Sequence, residues 1–312
     1  MKIAFQMDPI GPIDINADST FRLAEEAQAR GYSLFYYTPE KLAYDEGRII
    51  ARGHDLTVQR IATDHASLGP EREVDLSQFD VVWLRQDPPF DMFYITTTHL
   101  LDRLAATTLV VNNPFWVRNY PEKLLVLDFP NLTPPTAIAR DLETIRNFRD
   151  RHGDVIVKPL YGNGGAGVFR LKPNDSNLSS LFELFTGFSR EPLIVQKFLP
   201  AVVNGDKRVI LVDGEPVGAI NRVPALGETR SNMHVGGRPE KIDLSDRDLE
   251  ICAEIGPLLR EKGQVFVGID VIGDRLTEIN VTSPTGIQEL ERFDGINVAG
   301  KIWDAIAQRR QG

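Results

Sequence analysis

Three oxygen-bearing side chains lie close together in the stretch VFVGIDVIGDRLTEINVTSP, residues 265–284: Asp270, Glu278 and Asn280. Two apolar runs flank Gly273-Asp274, which is hairpin chemistry. Side chains two apart in a strand share a face, so Glu278 and Asn280 point the same way. The loop decides whether Asp270 joins them. A two-residue turn at Gly273-Asp274 pairs Asp270 with Thr277. A three-residue loop, Gly273 to Arg275, pairs it with Glu278 and aligns all three, and this register is the one expected. Carboxylates on an otherwise apolar hairpin are costly to bury unless a cation or donor compensates. Oxygen donors of this kind suit Mg²⁺ shared with the phosphates of a nucleotide. A hairpin with one solvated face is the plainer alternative. The near-unbroken apolar run before Asp270 and the Ser283-Pro284 that follows favour the metal. On that basis Asp270→Ala is expected to abolish turnover and leave the fold intact.

A second candidate is the glycine run YGNGGAG, residues 161–167. Gly162, Gly164 and Gly167 match the dinucleotide spacing G-x-G-x-x-G, but that motif opens a helix. Here VFRL follows with strand-like alternation, and no Gly-Lys-Ser/Thr ends the run as a Walker loop requires. Strand, glycine loop, strand reads instead as a hairpin lid whose backbone amides can close over phosphates. Lys158 ends the strand before the lid and can reach those phosphates as a point charge. Lys123 is a further candidate without local support. Gln196, Lys197, Phe198 and Leu199 end a strand before Pro200, where a lobe crossing can offer backbone groups to an adenine edge. Arg208 follows Gly205-Asp206-Lys207. Arg230 and Arg238 lie in the unpatterned, glycine-containing stretch 227–240, where arginines suit carboxylate or phosphate oxygens. The five histidines show no metal spacing and no G-x-S-x-G elbow is present, which argues against zinc chemistry and serine hydrolysis.

These groups need a scaffold. Strands are expected at 2–7, 33–38, 80–85 and 109–113, with helices from Asp18 or Ser19 to Arg30 and from about 91 to 106. That alternation predicts an α/β lobe with a mainly parallel sheet, whose ligands gather at the carboxyl ends of its strands. Asp8, Arg85 and Asn112 fall at such ends, where capping or turn roles are the simpler readings. The pattern blurs between about 40 and 75. From about 121, strands at VIVKP, GVFRLK and LIVQKF form a second lobe, with a helix in DLETIRNFRDRHG. From about 200, a hairpin turns at Asp213-Gly214, a helix spans 245–262, the 265–284 hairpin follows, and a helix spans 296–309. Three lobes result: 1–120, 121–199 and 200–312, α/β in class and α+β overall. A net charge of -9 argues against a nucleic-acid surface. No apolar run approaches the ~18 residues of a membrane span. Neither a secretory signal nor an intrachain disulfide is expected, Cys252 being the only cysteine. It reads as a buried core residue in a cytoplasmic protein.

The order Lys158, glycine lid, strand-end crossing, Arg208, then Asp270 with Glu278-Ile279-Asn280 resembles the ATP-grasp ligases. FDVVWLRQDPPFD, GDKRVILVDGEPVGAINRVP, GGRPE and GIDVIGDRLTEINVTSPTGI resemble the prokaryotic glutathione synthetase family over almost the whole chain. That family often has a lysine where Gln86 stands and an acidic residue where Tyr161 stands. The resemblance implies an N-terminal α/β lobe followed by a two-lobed ATP-grasp fold. It implies ligation of γ-glutamylcysteine to glycine with ATP and Mg²⁺, Mn²⁺ being an alternative, and a homo-oligomer, often a tetramer. Lys123, Lys158, Gly164, Gly165, Gln196 to Leu199 and Asp206 would bind the nucleotide. Asp270, Glu278 and Asn280 would bind metal, and Arg208 and Arg238 would act in catalysis. Arg85, Arg230, Asn280 and Ser283 would contact substrate. An ATP-grasp ligase of other amino acids is the nearest rival. A nicotinamide dehydrogenase requires a helix after Gly167, and a nucleotide sensor would bind ATP without releasing ADP.

Overall fold

A computed structural model of the protein describes residues 1–225 and 236–311. The apolar runs KIAFQM, SLFYY and VVWLR are buried along nearly their whole length, as strands covered on both faces must be. They form the parallel centre of an eight-stranded sheet, in the order Ser33–Tyr37, Lys2–Met7, Val81–Arg85, Leu109–Val111. The blurred region supplies an antiparallel extension. Its main strand, Arg48–Val58, pairs with Ser33–Tyr37 and with Leu42–Asp45, Ala66–Leu68 and Arg72–Asp75. Helix Ser19–Ala29 packs on this lobe, and Asp18 caps it by accepting from Phe21 N at 2.6 Å.

A four-stranded antiparallel sheet comes next, in the order Phe169–Leu171, Val155–Pro159, Leu193–Lys197, Thr136–Ala139. Helices Leu142–His152 and Leu178–Phe188 cover it. The latter was not evident in the sequence. A five-stranded antiparallel sheet follows, in the order Arg238–Ile242, Glu215–Val223, Asp206–Val212, Phe266–Ile272, Arg275–Asn280. Helix Asp246–Glu261, opened by a capping box at Ser245, and helices Ile287–Asp294 and Val298–Gln311 complete it.

The apolar cores do not follow chain order. Phe5 and Trp83 at the start of the chain pack edge-on against Trp303 near its end, and Trp303 Nε1 donates to Leu23 O at 2.9 Å. One core therefore joins the first lobe to the last. Burying an aromatic of this size contributes roughly 4–6 kcal/mol by area, before entropy is counted. The middle lobe has a separate core built on Ile145, Phe148, Val157 and Val195. Among the described residues no helix is long and apolar enough to cross a membrane.

Candidate active site

The hairpin at 266–280 brings Asp270 opposite Glu278, as expected, but by a different route. Its turn has two residues: Ile272 pairs with Arg275 across Gly273-Asp274, and Val271 pairs with Leu276. A β-bulge at Thr277 then shifts the register by one, so that Asp270 meets Glu278 and Gly268 meets Asn280. Thr277 Oγ1 ties the bulge down by donating to Asp270 O at 3.1 Å. Asp270, Glu278 and Asn280 thus share one face.

That face continues across the sheet as a row of alternating charge. Arg208 pairs with Asp270 in the strand register and Asp206 pairs with Arg222. Arg208 Nε and Nη2 reach the two carboxylate oxygens of Asp270 at 2.5 and 3.1 Å. Arg222 Nη2 lies 2.6 Å from Asp206 Oδ2 and 2.9 Å from Asp270 Oδ1. Gly268 makes room for this: a Cβ there would sit 2.8 Å from Arg208 Cδ. Burial alone would raise the Asp270 carboxyl, but the two guanidiniums outweigh it and hold the group well below the usual range.

The middle lobe meets this row with two lysines. Lys158 Nζ lies 2.8 Å and Lys123 Nζ 3.9 Å from Glu278 Oε1, and Lys123 also donates to Gly162 O. Against the burial that raises it, the lysine charges bring the Glu278 carboxyl below its ordinary value. The glycine run leads into strand Phe169–Leu171, antiparallel to residues 155–157, so it is a hairpin lid and no helix follows Gly167. That removes the dehydrogenase reading. Tyr161, at the lid's base, stacks on Phe90 of the first lobe with ring centroids 5.8 Å apart.

One cavity of about 1030 Å³ unites these parts. It is bordered by Lys123, Lys158, Gly164, Gly165, the Gln196–Leu199 crossing, Asp206, Arg208, Asp270, Glu278, Asn280, Ser283 and Arg85. Arg238 is not brought there. It begins an edge strand, its side chain is 74% exposed and it pairs with Glu240 on its own strand. Arg230 lies outside the described residues. Of the strand-end residues, Asn112 is structural: its amide donates to Phe266 O and Val281 O at 2.7 and 2.8 Å, fastening the first lobe to the last. Asp8 Oδ2 accepts from Asp87 N. Gln86, the departure from the family pattern, does not border the cavity and accepts from Gln6 Nε2 at 3.2 Å.

Several cavity residues escaped the sequence reading. Arg222 is one. Its hairpin turns at Asp213-Gly214, and plain counting puts Asn221 opposite Asp206. A bulge beyond Ile210 shifts the pairing and brings Arg222 there instead. Pro216 and Gly218, unusual inside a strand, were the available signal. Glu122 is another: Thr282 Oγ1 donates to it at 2.6 Å, and burial pushes its carboxyl up.

Among the described residues no group of three or more His, Cys, Asp or Glu side chains converges as a dedicated metal cage. Two carboxylates and an amide aligned on one cavity face suit a hard divalent ion that completes its shell with phosphate oxygens and water, so the donor set fits.

Residues 1–118 match the prokaryotic glutathione synthetase N-terminal domain, and residues 122–295 match the ATP-grasp domain of the same family. The chain belongs to the prokaryotic glutathione synthetase family. It is 57% identical over 310 residues to the glutathione synthetase of Brucella melitensis, covering 99% of each chain. To that of Agrobacterium fabrum it is 58% identical over 308 residues, covering 99% of this chain and 97% of the relative. Among solved structures, D-cycloserine synthetase DcsG superposes with a TM-score of 0.71 at 17% identity, over 99% of this chain and 100% of that one. That likeness carries the ATP-grasp fold alone.

Proposed function

We infer that the protein is an ATP-dependent ligase that joins γ-glutamylcysteine to glycine, giving glutathione, ADP and phosphate. The observation that carries this reading is the single cavity, in a chain matched end to end by glutathione synthetases. Lys123, Lys158, the glycine run and the Asp270–Glu278 face, all suited to phosphate and metal, border it together with Arg85 and Ser283, which suit peptide carboxylates.

A carboxylate is a poor electrophile. The cysteinyl carboxylate oxygen therefore bonds to the γ-phosphorus as the bond to ADP breaks. The glycine amine then adds to the acyl carbon, phosphate leaves, and the amine gives up its proton. Lys123 and Lys158 exchange Glu278 for phosphate oxygens when the nucleotide enters. Gln196 to Leu199 receive the adenine, and Gly164 and Gly165 let the lid backbone approach the phosphates and exclude water from the acyl phosphate. Arg208, with Arg222 beside it, faces the charge that develops on the acyl oxygen. Arg85 and Ser283 hold peptide carboxylates. Asp270, Glu278 and Asn280 would hold Mg²⁺ or Mn²⁺, which when bound neutralises phosphate charge. We further propose a cytoplasmic homo-oligomer, a tetramer by family resemblance, to be checked by light scattering.

The test is coupled ADP release with ATP, Mg²⁺, γ-glutamylcysteine and glycine, each omitted in turn. Release that needs all four, with glutathione identified by mass, is expected. Release indifferent to glycine would overturn the acceptor assignment.

A further inference from the structure

One proton of the reaction has no residue to receive it: the one the glycine amine gives up. Most carboxylates that border the cavity are engaged elsewhere. Asp270 faces Arg208 and Arg222, Asp206 faces Arg222, and Glu278 faces Lys158. Glu289 pairs with Arg292, Asp18 caps its helix, and Asp14 and Asp87 are exposed. Glu122 differs. It borders the cavity and is only partly exposed. Its Oε1 accepts from Thr282 Oγ1 at 2.6 Å, and among the described residues Oε2 has neither a hydrogen bond nor a cationic partner. Two elements set its place. The short helix Glu122–Leu125 packs on strand Arg275–Asn280, and Thr282 lies two residues beyond Asn280. The carboxyl is therefore within reach of the charges of Lys123, Glu278 and Arg208. The first two belong to the phosphate end, and Arg208 faces the acyl oxygen.

On adding to the acyl carbon the amine nitrogen becomes positively charged, and no neutral amide results until it loses a proton. A lid that excludes water leaves that task to a side chain. A carboxylate held by guanidiniums or lysines is a poor proton acceptor. Burial pushes the Glu122 carboxyl up, which makes it a better one. We propose that Glu122 is the general base of the second step, its Oε2 taking the proton of the attacking amine. The nitrogen–carbon bond forms as the carbonyl pair moves onto the oxygen beside Arg208. The N–H proton passes to Oε2 and its bonding pair stays on nitrogen. The oxygen pair then re-forms the carbonyl, the bond from carbon to phosphate oxygen breaks, and phosphate leaves with that pair. Glu122 gives its proton to water when the lid opens. Thr282 fixes Oε1, so that Oε2 keeps its aim. This rests on the ligase reading given above.

The test compares two acceptors, glycine and hydroxylamine, with ATP, Mg²⁺ and γ-glutamylcysteine. Hydroxylamine is largely uncharged at neutral pH and captures acyl phosphates as a hydroxamate without help from a base. Glu122→Gln keeps the shape of the side chain and an acceptor for Thr282. It should lower kcat with glycine by at least about 100-fold, the lower end of what a positioned base supplies. Hydroxamate formation and KM for ATP should stay within about threefold, because forming the acyl phosphate does not use the base. A fall below about tenfold with glycine, or an equal fall with both acceptors, would overturn the assignment; the latter would make Glu122 a support for Lys123. If hydroxylamine is not an acceptor even for the unsubstituted enzyme, oxygen-isotope scrambling in ATP with the peptide alone reads the first step instead. Scrambling kept in Glu122→Gln while glutathione formation falls upholds the base, and scrambling lost overturns it. If the unsubstituted enzyme forms no glutathione, the ligase reading fails and the base with it, a failure seen before any substitution is made.

Discussion

Replacing Asp270 by Asn should do more than remove a metal ligand. Asp270 is 3% exposed and faces two guanidiniums, of which Arg208 is 7% exposed and Arg222 4%. Arg222 keeps Asp206 at 2.6 Å, but Arg208 has no other carboxylate ion pair among the described residues. The substitution therefore leaves one buried positive charge uncompensated. Breaking a buried pair in this way costs about 3–5 kcal/mol. Asn keeps one acceptor oxygen, which places the loss near the lower figure. At roughly 2–4 °C per kcal/mol for chains of 150–250 residues, the unfolding midpoint should fall by about 6 °C or more. Activity should fall by about three orders of magnitude if the carboxylate also holds the metal. Arg208→Met on top of Asp270→Asn removes the orphan charge and should recover most of the stability but none of the activity. Thermal unfolding followed by circular dichroism, beside ADP release, reads both quantities. An unchanged midpoint in Asp270→Asn, or no recovery in the double variant, would show that the row of charges is not coupled as the distances indicate. The expectation from sequence, an inactive but intact Asp270→Ala protein, did not include the two arginines.

Three further outcomes are expected. Gly268→Ala drives a methyl into Arg208 Cδ and should lower kcat/KM by about tenfold or more at a stability cost of about 1–3 kcal/mol, read by the same two assays. Tyr161→Ala removes the stack on Phe90, worth about 0.5–1.5 kcal/mol, and should raise KM for ATP about 2- to 12-fold while speeding proteolysis in the lid; an unchanged KM would detach the stack from nucleotide binding. Cys252 is pushed up to about 12, chiefly by burial and then by the charges of Asp248 and Glu215. At pH 8 the native protein should not react with a thiol reagent, and urea should release one equivalent. Because this folded value lies above the unfolded one, the contribution of Cys252 to stability is complete below about pH 8.5 and is lost as pH rises toward 12. Loss of that contribution on the acid side would contradict it.

The parallel strands and the glycine lid were legible because their signals are local. Unbroken apolar runs such as VVWL mark strands covered on both faces, and VFRL after the glycines rules out a helix. The site's register was less legible because it depends on two bulges. Counting back from Gly273-Asp274 or from Asp213-Gly214 gives the wrong face for Glu278 and for Arg222. The Asp270–Glu278 pairing was foreseen, but from a loop length the chain does not use. Residues 42–75 were unreadable for another reason. Arg48–Val58 is an interior strand of mixed burial with partners on both sides, and its turn at Glu46-Gly47, both with positive φ, was not recognised as hairpin chemistry. Arg238 was read as catalytic among glycines, and nothing in its neighbourhood could show that its side chain lies exposed at the start of an edge strand, outside the cavity lining. The partners of Arg85 lie up to 199 positions away in sequence, beyond the reach of any spacing rule.

The separate core of the middle lobe sets an order of events during synthesis. Residues 136–197 contain all the strands and both helices that bury Ile145, Phe148, Val157 and Val195. They can condense as soon as they leave the ribosome. The first 111 residues cannot finish, because Phe5 and Trp83 wait for Trp303. The nascent chain therefore carries an incomplete apolar surface at its front while its centre is already packed, and only the last helix covers it. An enzyme built this way is most exposed to aggregation and proteolysis in the interval before helix Val298–Gln311 emerges, and translation products truncated ahead of it should be cleared rather than accumulate.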